Sequence, residues 1–163
     1  MIVIAPVRSG EPKEGSMTAS DAVPRLDGIR VLVVEDVSSI RELVVETLTQ
    51  HGAQVTAVDS AVDGLDLLQR EAPDALLTSI SMPGEDGLWL IRQVRSLPPE
   101  RGCATPAAAF TGRSTARDRR DILRAGFQFH VAKPVALRRL VWVVALLAGE
   151  KGRSRGTELP PRA

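Results

Sequence analysis

Residues 74–87 read Asp74-Ala75-Leu76-Leu77-Thr78-Ser79-Ile80-Ser81-Met82-Pro83-Gly84-Glu85-Asp86-Gly87. The first part of this stretch is short and apolar; Pro73 precedes it, and Pro83-Gly84 follows it. This pattern predicts a buried strand that ends in a sharp loop, with Asp86 as a turn residue or the cap of the next helix and not a ligand. In open α/β sheets, binding sites lie just beyond the carboxyl ends of the strands, and Ser79 is predicted to stand at such an end.

Strand and helix patterns alternate on both sides of this stretch. Short apolar runs predict four more strands, at residues 29–34, 54–58, 106–110 and 127–131. Apolar residues at helical spacing, together with helix caps and stop residues, predict five helices. The first begins at a capping box at 39–42, and the other four cover 61–70, 87–96, 114–125 and 136–148. The first helix is predicted to face inward with Ile40, Leu43, Val44, Thr47 and Leu48.

Five strands that alternate with helices predict a parallel sheet covered on both faces. The expected fold is a flavodoxin-like three-layer α/β/α sandwich with a five-stranded sheet in the order 2-1-3-4-5. Its core is predicted to hold residues 31–34, Leu76, Leu77, 107–110 and Val131. Residues 28–148 are predicted to form one domain, between a disordered arm at 1–27 and a disordered tail at 149–163.

Composition narrows the class of protein further. The chain has 163 residues, of which 44% are hydrophobic and 25% charged, as in an ordinary globular domain. The formal net charge of +1 gives no electrostatic case for nucleic acid or membrane as a partner. The longest apolar run, residues 140–148, is too short to span a bilayer, and Cys103 is the single cysteine. A soluble, cytoplasmic protein is therefore expected.

Polar residues follow or end four of the predicted strands. Glu35-Asp36, Ser79, Thr111 and Lys133 stand at the carboxyl ends of the first, third, fourth and fifth strands. Because these ends meet at one edge of a parallel sheet, the four features are expected to lie close together.

Residues 74–87 closely resemble the phosphoacceptor segment of two-component receiver domains. That segment reads Pro-Asp, four mostly apolar residues, Asp, Ile, any residue, then Met-Pro-Gly-X-Asp-Gly. Every fixed position matches except the phosphoacceptor aspartate, where this chain has Ser79. The resemblance extends from residue 29 to about residue 148. Residues 82–87 and 125–128 also look like the receiver at the carboxyl end of hybrid histidine kinases.

The resemblance implies a role for each strand-end residue. Glu35, Asp36 and the backbone carbonyl of Ser81 would bind Mg²⁺. Thr111 would sense the phosphoryl group, Lys133 would contact it, and His130 would be the nearby ring that changes rotamer. The implied partner is a histidine kinase or a histidine phosphotransfer protein.

Ser79 changes what this site is expected to do. Serine lacks the charge that helps to hold Mg²⁺, and it cannot form an acyl phosphate, so Mg²⁺ binding should be weak and phosphotransfer absent. The chain is thus predicted to be a stand-alone pseudo-receiver with no catalytic residues, which acts through protein contacts. Two origins of the serine remain open: natural loss of the aspartate together with phosphotransfer, or its deliberate replacement in an otherwise normal receiver.

Two other functions are less favoured by the residues. A hydrolase with Ser79 as nucleophile would need a base, but no Gly-X-Ser-X-Gly elbow surrounds Ser79, and the only histidines are His51 and His130. A flavin or nucleotide binder would need a glycine-rich phosphate loop, which is absent, and aromatic residues make up only 3% of the chain.

The last predicted helix carries more apolar residues than one inward face can use. Trp142, Val143 and Leu146 are expected to face solvent as an apolar patch. Arginines would surround it, at positions 117, 120, 124, 138 and 139. We predict a homodimer or another partner contact through the fourth and fifth helices.

Overall fold

The computed structural model describes residues 22–134 and 136–155, with side chains described as far as residue 149. Residues 1–21 of the predicted arm and residues 156–163 of the predicted tail lie outside the described residues. The strands are β1 Arg30–Val34, β2 Gln54–Val58, β3 Ala75–Ser79, β4 Ala107–Thr111 and β5 Phe129–Ala132. The helices are α1 Ser38–Gln50, α2 Ala61–Glu71, α3 Gly87–Arg95, α4 Ala116–Ala125 and α5 Leu137–Arg155, with a 3₁₀ turn at Pro99–Arg101.

All neighbouring strands of the sheet pair in parallel, in the order β2-β1-β3-β4-β5. The predicted fold is therefore confirmed. Helices α1 and α5 cover one face of the sheet, while α2, α3 and α4 cover the other. Every residue of β3 and β4 is buried, which explains why these strands read as nearly continuous apolar runs. The predicted core residues are all buried.

Helix α1 begins differently from the sequence prediction. The capping box at Ser39 is not formed: the helix starts at Ser38 after Val37, and no side chain caps it. The predicted inward residue Leu43 is 47% exposed, because Val44, Thr47 and Leu48 occupy the inward stripe and leave Leu43 at its border. A capping box is instead present at α4, between Thr115 and Asp118.

The domain starts before residue 28, so the predicted boundary of the arm is wrong. Leu26 is fully buried, and its N–H donates to the carbonyl of His51 at 2.7 Å. Arg25 pairs with Asp27 at 2.9 Å and reaches the carbonyl of Gln50 at 3.4 Å. This segment covers the end of the core beside the last turn of α1, where the Leu26 side chain packs in the core cluster.

Truncation of Leu26 to alanine should lower the free energy of unfolding by about 2–5 kcal/mol, because it leaves a cavity in the core. Chemical denaturation with urea measures the change. Val62→Ala is the matched control, since Val62 is 56% exposed and should cost well under ~1 kcal/mol. Equal stability of the Leu26 and Val62 variants would contradict the placement of the segment.

Helix α5 is longer than predicted and faces the sheet differently. It continues to Arg155, so the predicted tail does not begin at Gly149. Val143 is only 3% exposed, because it packs in the core cluster that α1 and α5 share; its predicted place in a solvent patch is wrong. Trp142 is half-buried, and Leu146 is 43% exposed. No helix in the described residues has both the length and the apolar character needed to cross a membrane.

Candidate functional site at the carboxyl edge of the sheet

The strand ends bring three of the predicted side chains into direct contact. Lys133 follows β5, Glu35 follows β1, and Ser79 is the last residue of β3. The Lys133 ammonium donates to Glu35 Oε2 at 2.8 Å and to Ser79 Oγ at 3.2 Å. The side chains of Glu35 and Ser79 are almost completely shielded from solvent, whereas that of Lys133 is 21% exposed. The centre of the site is thus a largely buried ion pair that also holds the serine hydroxyl.

Neighbouring groups complete the contacts of this ion pair. Glu35 Oε1 accepts a hydrogen bond from the Val37 N–H at 3.1 Å, so both carboxylate oxygens are engaged. The Lys133 ammonium lies 4.6 Å from the centroid of the Phe110 ring, within cation–π range. Arg41 donates to the backbone carbonyls of Glu35 at 2.7 Å and Asp36 at 3.3 Å, which fixes the loop after β1. The sequence prediction missed Val37, Phe110 and Arg41 as parts of this site.

The loop after β3 is held by its own residues. Gly87 has no room for a Cβ atom, which would collide with the carbonyl oxygen of Ser79, so α3 starts directly against the end of β3. Its N–H donates to the carbonyl of Ile80 at 2.9 Å. Asp86 caps α3 by accepting from the Trp89 N–H at 2.7 Å, which is one of the two roles predicted for it. Ser81 lies on the exposed part of the loop.

Thr111 and His130 form a separate contact group. Both are buried, and both hold the backbone of Arg113 at the start of the β4–α4 loop. Thr111 Oγ1 accepts from the Arg113 N–H at 3.0 Å, and His130 Nε2 lies 2.7 Å from the Arg113 carbonyl. Because a carbonyl oxygen only accepts, His130 Nε2 carries the proton and donates. These two side chains therefore fasten the loop, and their hydrogen bonds do not go to Ser79 or Lys133.

The residues present fit a magnesium ion poorly. Mg²⁺ takes oxygen ligands and is usually held by one or two carboxylates. Here the Glu35 carboxylate is already bonded to Lys133 and Val37, and Ser79 is uncharged. No group of three acidic, histidine or cysteine residues suited to a metal occurs among the described residues. Asp36, which is half-buried, and the carbonyl of Ser81 are the donors that remain.

Comparison with known proteins agrees with this architecture. The response regulator receiver domain family matches residues 31–145, and the chain belongs to that family. The family acts in two-component signalling, so the chain carries a signalling domain. It is thus a receiver domain of two-component signalling with a CheY-like, flavodoxin-like fold.

The chain is also similar to individual members of this family. An uncharacterized 14.6 kDa protein of Leptolyngbya boryana is 40% identical over 114 residues, 70% of this chain and 86% of the relative. The sensor histidine kinase GacS of Pseudomonas protegens is 32% identical over 158 residues, 96% of this chain but only 16% of the kinase. The crystal structure of the PA1611 receiver from Pseudomonas aeruginosa, which has a magnesium ion in its active site cleft, matches with a TM-score of 0.69 at 28% identity, over 75% of this chain and 98% of that receiver.

Proposed function

We propose that this chain is a receiver that signals without phosphorylation, through contact with a histidine kinase or a histidine phosphotransfer protein. The observation that carries the proposal is the closed contact of Lys133 with Glu35 and Ser79. Ordinary receivers change their population of conformations when phosphate adds charge to this site. Here the cation and the anion already neutralise each other, and no carboxylate stands at the acceptor position.

The surroundings of Ser79 also argue against attack by its hydroxyl. A serine nucleophile needs a base that removes its proton. The Lys133 ammonium donates to the Glu35 carboxylate at 2.8 Å and to Ser79 Oγ at 3.2 Å, and an ammonium group is a donor that cannot accept the serine proton. His130 donates to the Arg113 carbonyl instead. A hydrolase that uses Ser79 is therefore disfavoured.

The relatives support the class of partner. The match to part of the sensor histidine kinase GacS indicates that a domain like this one occurs within a kinase chain. A kinase or phosphotransfer protein is thus the partner that we propose, and the predicted contact through α4 and α5 stays a proposal, with Trp142 and Leu146 as its apolar residues. A homodimer through the same helices remains a prediction.

Thermal unfolding in Mg²⁺ tests the state of the site. At 10 mM MgCl₂ the melting temperature should rise by no more than about 2 °C over a control of equal ionic strength, because a ligand near its dissociation constant stabilises by only ~0.4 kcal/mol. Asp36→Asn should remove whatever shift there is. A rise of about 5 °C or more that Asp36→Asn abolishes would show a competent metal site. It would contradict the proposal that the Lys133 contact with Glu35 and Ser79 already neutralises the site.

A further inference from the structure

Helix α4 exposes a stripe of arginines to solvent. Arg117, Arg120 and Arg124 are all exposed and share one face of the helix, since they are spaced by three and four residues. Seven residues of helix rise about 10 Å, so the stripe presents three guanidinium groups over that length. Ile122 is the one residue of α4 that is buried. Among the described side chains, no ion pair neutralises these three arginines.

The charge of this region differs from that of the whole chain. Residues 113–124 contain five arginines and two aspartates, a formal charge of +3, whereas the entire chain carries +1. One of the aspartates, Asp118, is used inside the helix, where it completes the capping box with Thr115 and has its pKa lowered chiefly by that hydrogen bond. Positive charge is therefore concentrated on α4 and balanced by acidic residues elsewhere in the chain.

Helix α4 is fixed at both ends although its middle is exposed. The capping box at Thr115 holds its first turn. At the other end, Arg95 donates to the carbonyl of Gly126 at 2.8 and 3.0 Å and to those of Cys103 and Thr105. Burial lowers the pKa of Arg95 to about 10, so its guanidinium remains charged at neutral pH. The helix backbone that carries the stripe is thus held in place before any partner arrives, which reduces the entropy cost of binding.

A pocket of about 350 Å³ opens beside the first turn of α4. Its walls come from the start of α4, from β5 and from α5, and they carry the polar residues Ser114, Thr115, Arg119, His130 and Arg139. Hydroxyl and guanidinium groups recognise carboxylate oxygens well. The pocket borders α4 through Ala116 and Arg119, and it is large enough for one acidic side chain.

We propose that α4 and this pocket form a docking surface for an acidic protein segment. The stripe would bind a row of carboxylates, and the pocket would receive one further acidic side chain at the end of that row. The inference rests on the proposed function, since it names the chemistry of a partner that the receiver contacts. Nucleic acid is a worse fit, because the sequence pI is about 8.0 and a stripe of ~10 Å spans only a few phosphates.

Fluorescence anisotropy tests this surface on the unphosphorylated full chain. The probe is a fluorescein-labelled helical peptide of alanine with glutamate at spacings of three and four, compared with its glutamine counterpart. The triple variant Arg117→Ser, Arg120→Ser, Arg124→Ser should weaken binding of the glutamate peptide at least tenfold. The matched control replaces three exposed arginines on other elements, Arg70, Arg92 and Arg101, with serine, and should change binding less than twofold.

Each other outcome overturns the proposal. Equal weakening by both triple variants would mean attraction by net charge alone. A short DNA duplex that binds more tightly than the glutamate peptide would mark a nucleic-acid surface, and self-association lost in the α4 variant would mark a second copy as the occupant. Failure of the glutamate peptide to bind would overturn the docking surface, but it would leave the claim about Ser79 intact because no phosphate enters the experiment. Phosphorylation of the wild-type chain would overturn the proposed function without changing this result.

Discussion

Replacing Ser79 with aspartate should turn an inert site into one that takes up a phosphoryl group from acetyl phosphate. The new carboxylate would stand at the end of β3, within reach of the Lys133 ammonium that now bonds to Ser79 Oγ at 3.2 Å. One of its oxygens would bond to phosphorus while the bond from phosphorus to the acetate oxygen breaks. Lys133 already contacts both this position and Glu35, and Asp36 and Thr111 stand at the ends of the neighbouring strands β1 and β4. We expect uptake to approach one phosphoryl group per chain by intact mass.

The same variant should change how stability depends on Mg²⁺. A third carboxylate beside Glu35 and Asp36 adds repulsion, so Ser79→Asp should melt below the wild-type chain without metal and gain several degrees in 10 mM Mg²⁺. Ser79→Asn is the control, because its amide has nearly the same shape without the charge. A Ser79→Asp chain that folds but stays unphosphorylated would mean that other residues of the pocket have also lost the chemistry.

Replacing Lys133 with methionine should be the most destabilising single change at the site. It leaves the Glu35 carboxylate buried, at 1% exposure, with only the Val37 N–H as a partner. Removing one partner of a buried ion pair typically costs about 3–5 kcal/mol, because the remaining charge is uncompensated. Urea denaturation measures the loss. Arg70→Met provides a reference, since Arg70 and Asp66 form an exposed pair that should contribute less than ~1 kcal/mol.

A double variant separates the ion pair from simple loss of packing. Glu35→Gln combined with Lys133→Met removes both charges, and it should recover most of the stability that Lys133→Met loses. If the two changes instead add, Lys133 contributes through its packing on Phe110 and not through Glu35. That result would remove the basis for a closed, self-neutralised site.

The layered fold could be predicted because its signals are local. Apolar runs such as 75–79 and 107–110 are nearly continuous since both faces of a central parallel strand are covered. Turns and caps also show in the sequence, as at Asp86 and Gly87, where the residue types match the geometry. The edge of the sheet where Glu35, Ser79 and Lys133 meet follows from the parallel topology alone.

The parts that could not be predicted depend on contacts between distant residues. Leu26 lies between Arg25 and Asp27 in a stretch without strand or helix periodicity, so its local sequence does not signal that it closes the core. Val143 is buried because α1 packs beside α5, and that packing widens the inward face of α5. The bond of Lys133 to Glu35 joins residues 98 positions apart. The motifs assigned Lys133 to the phosphoryl group and Glu35 to the metal, whereas the structure pairs these two side chains with each other.

The most direct test of the central claim is the intact mass of the wild-type chain after incubation with acetyl phosphate and Mg²⁺. Our account predicts an unchanged mass under conditions in which Ser79→Asp gains a phosphoryl group. A phosphoryl group on the wild-type chain that hydroxylamine removes would contradict it, because an acyl phosphate would then form on another carboxylate, such as Asp36. A hydroxylamine-stable group that Ser79→Ala abolishes would contradict it as well, because the serine itself would then be the acceptor.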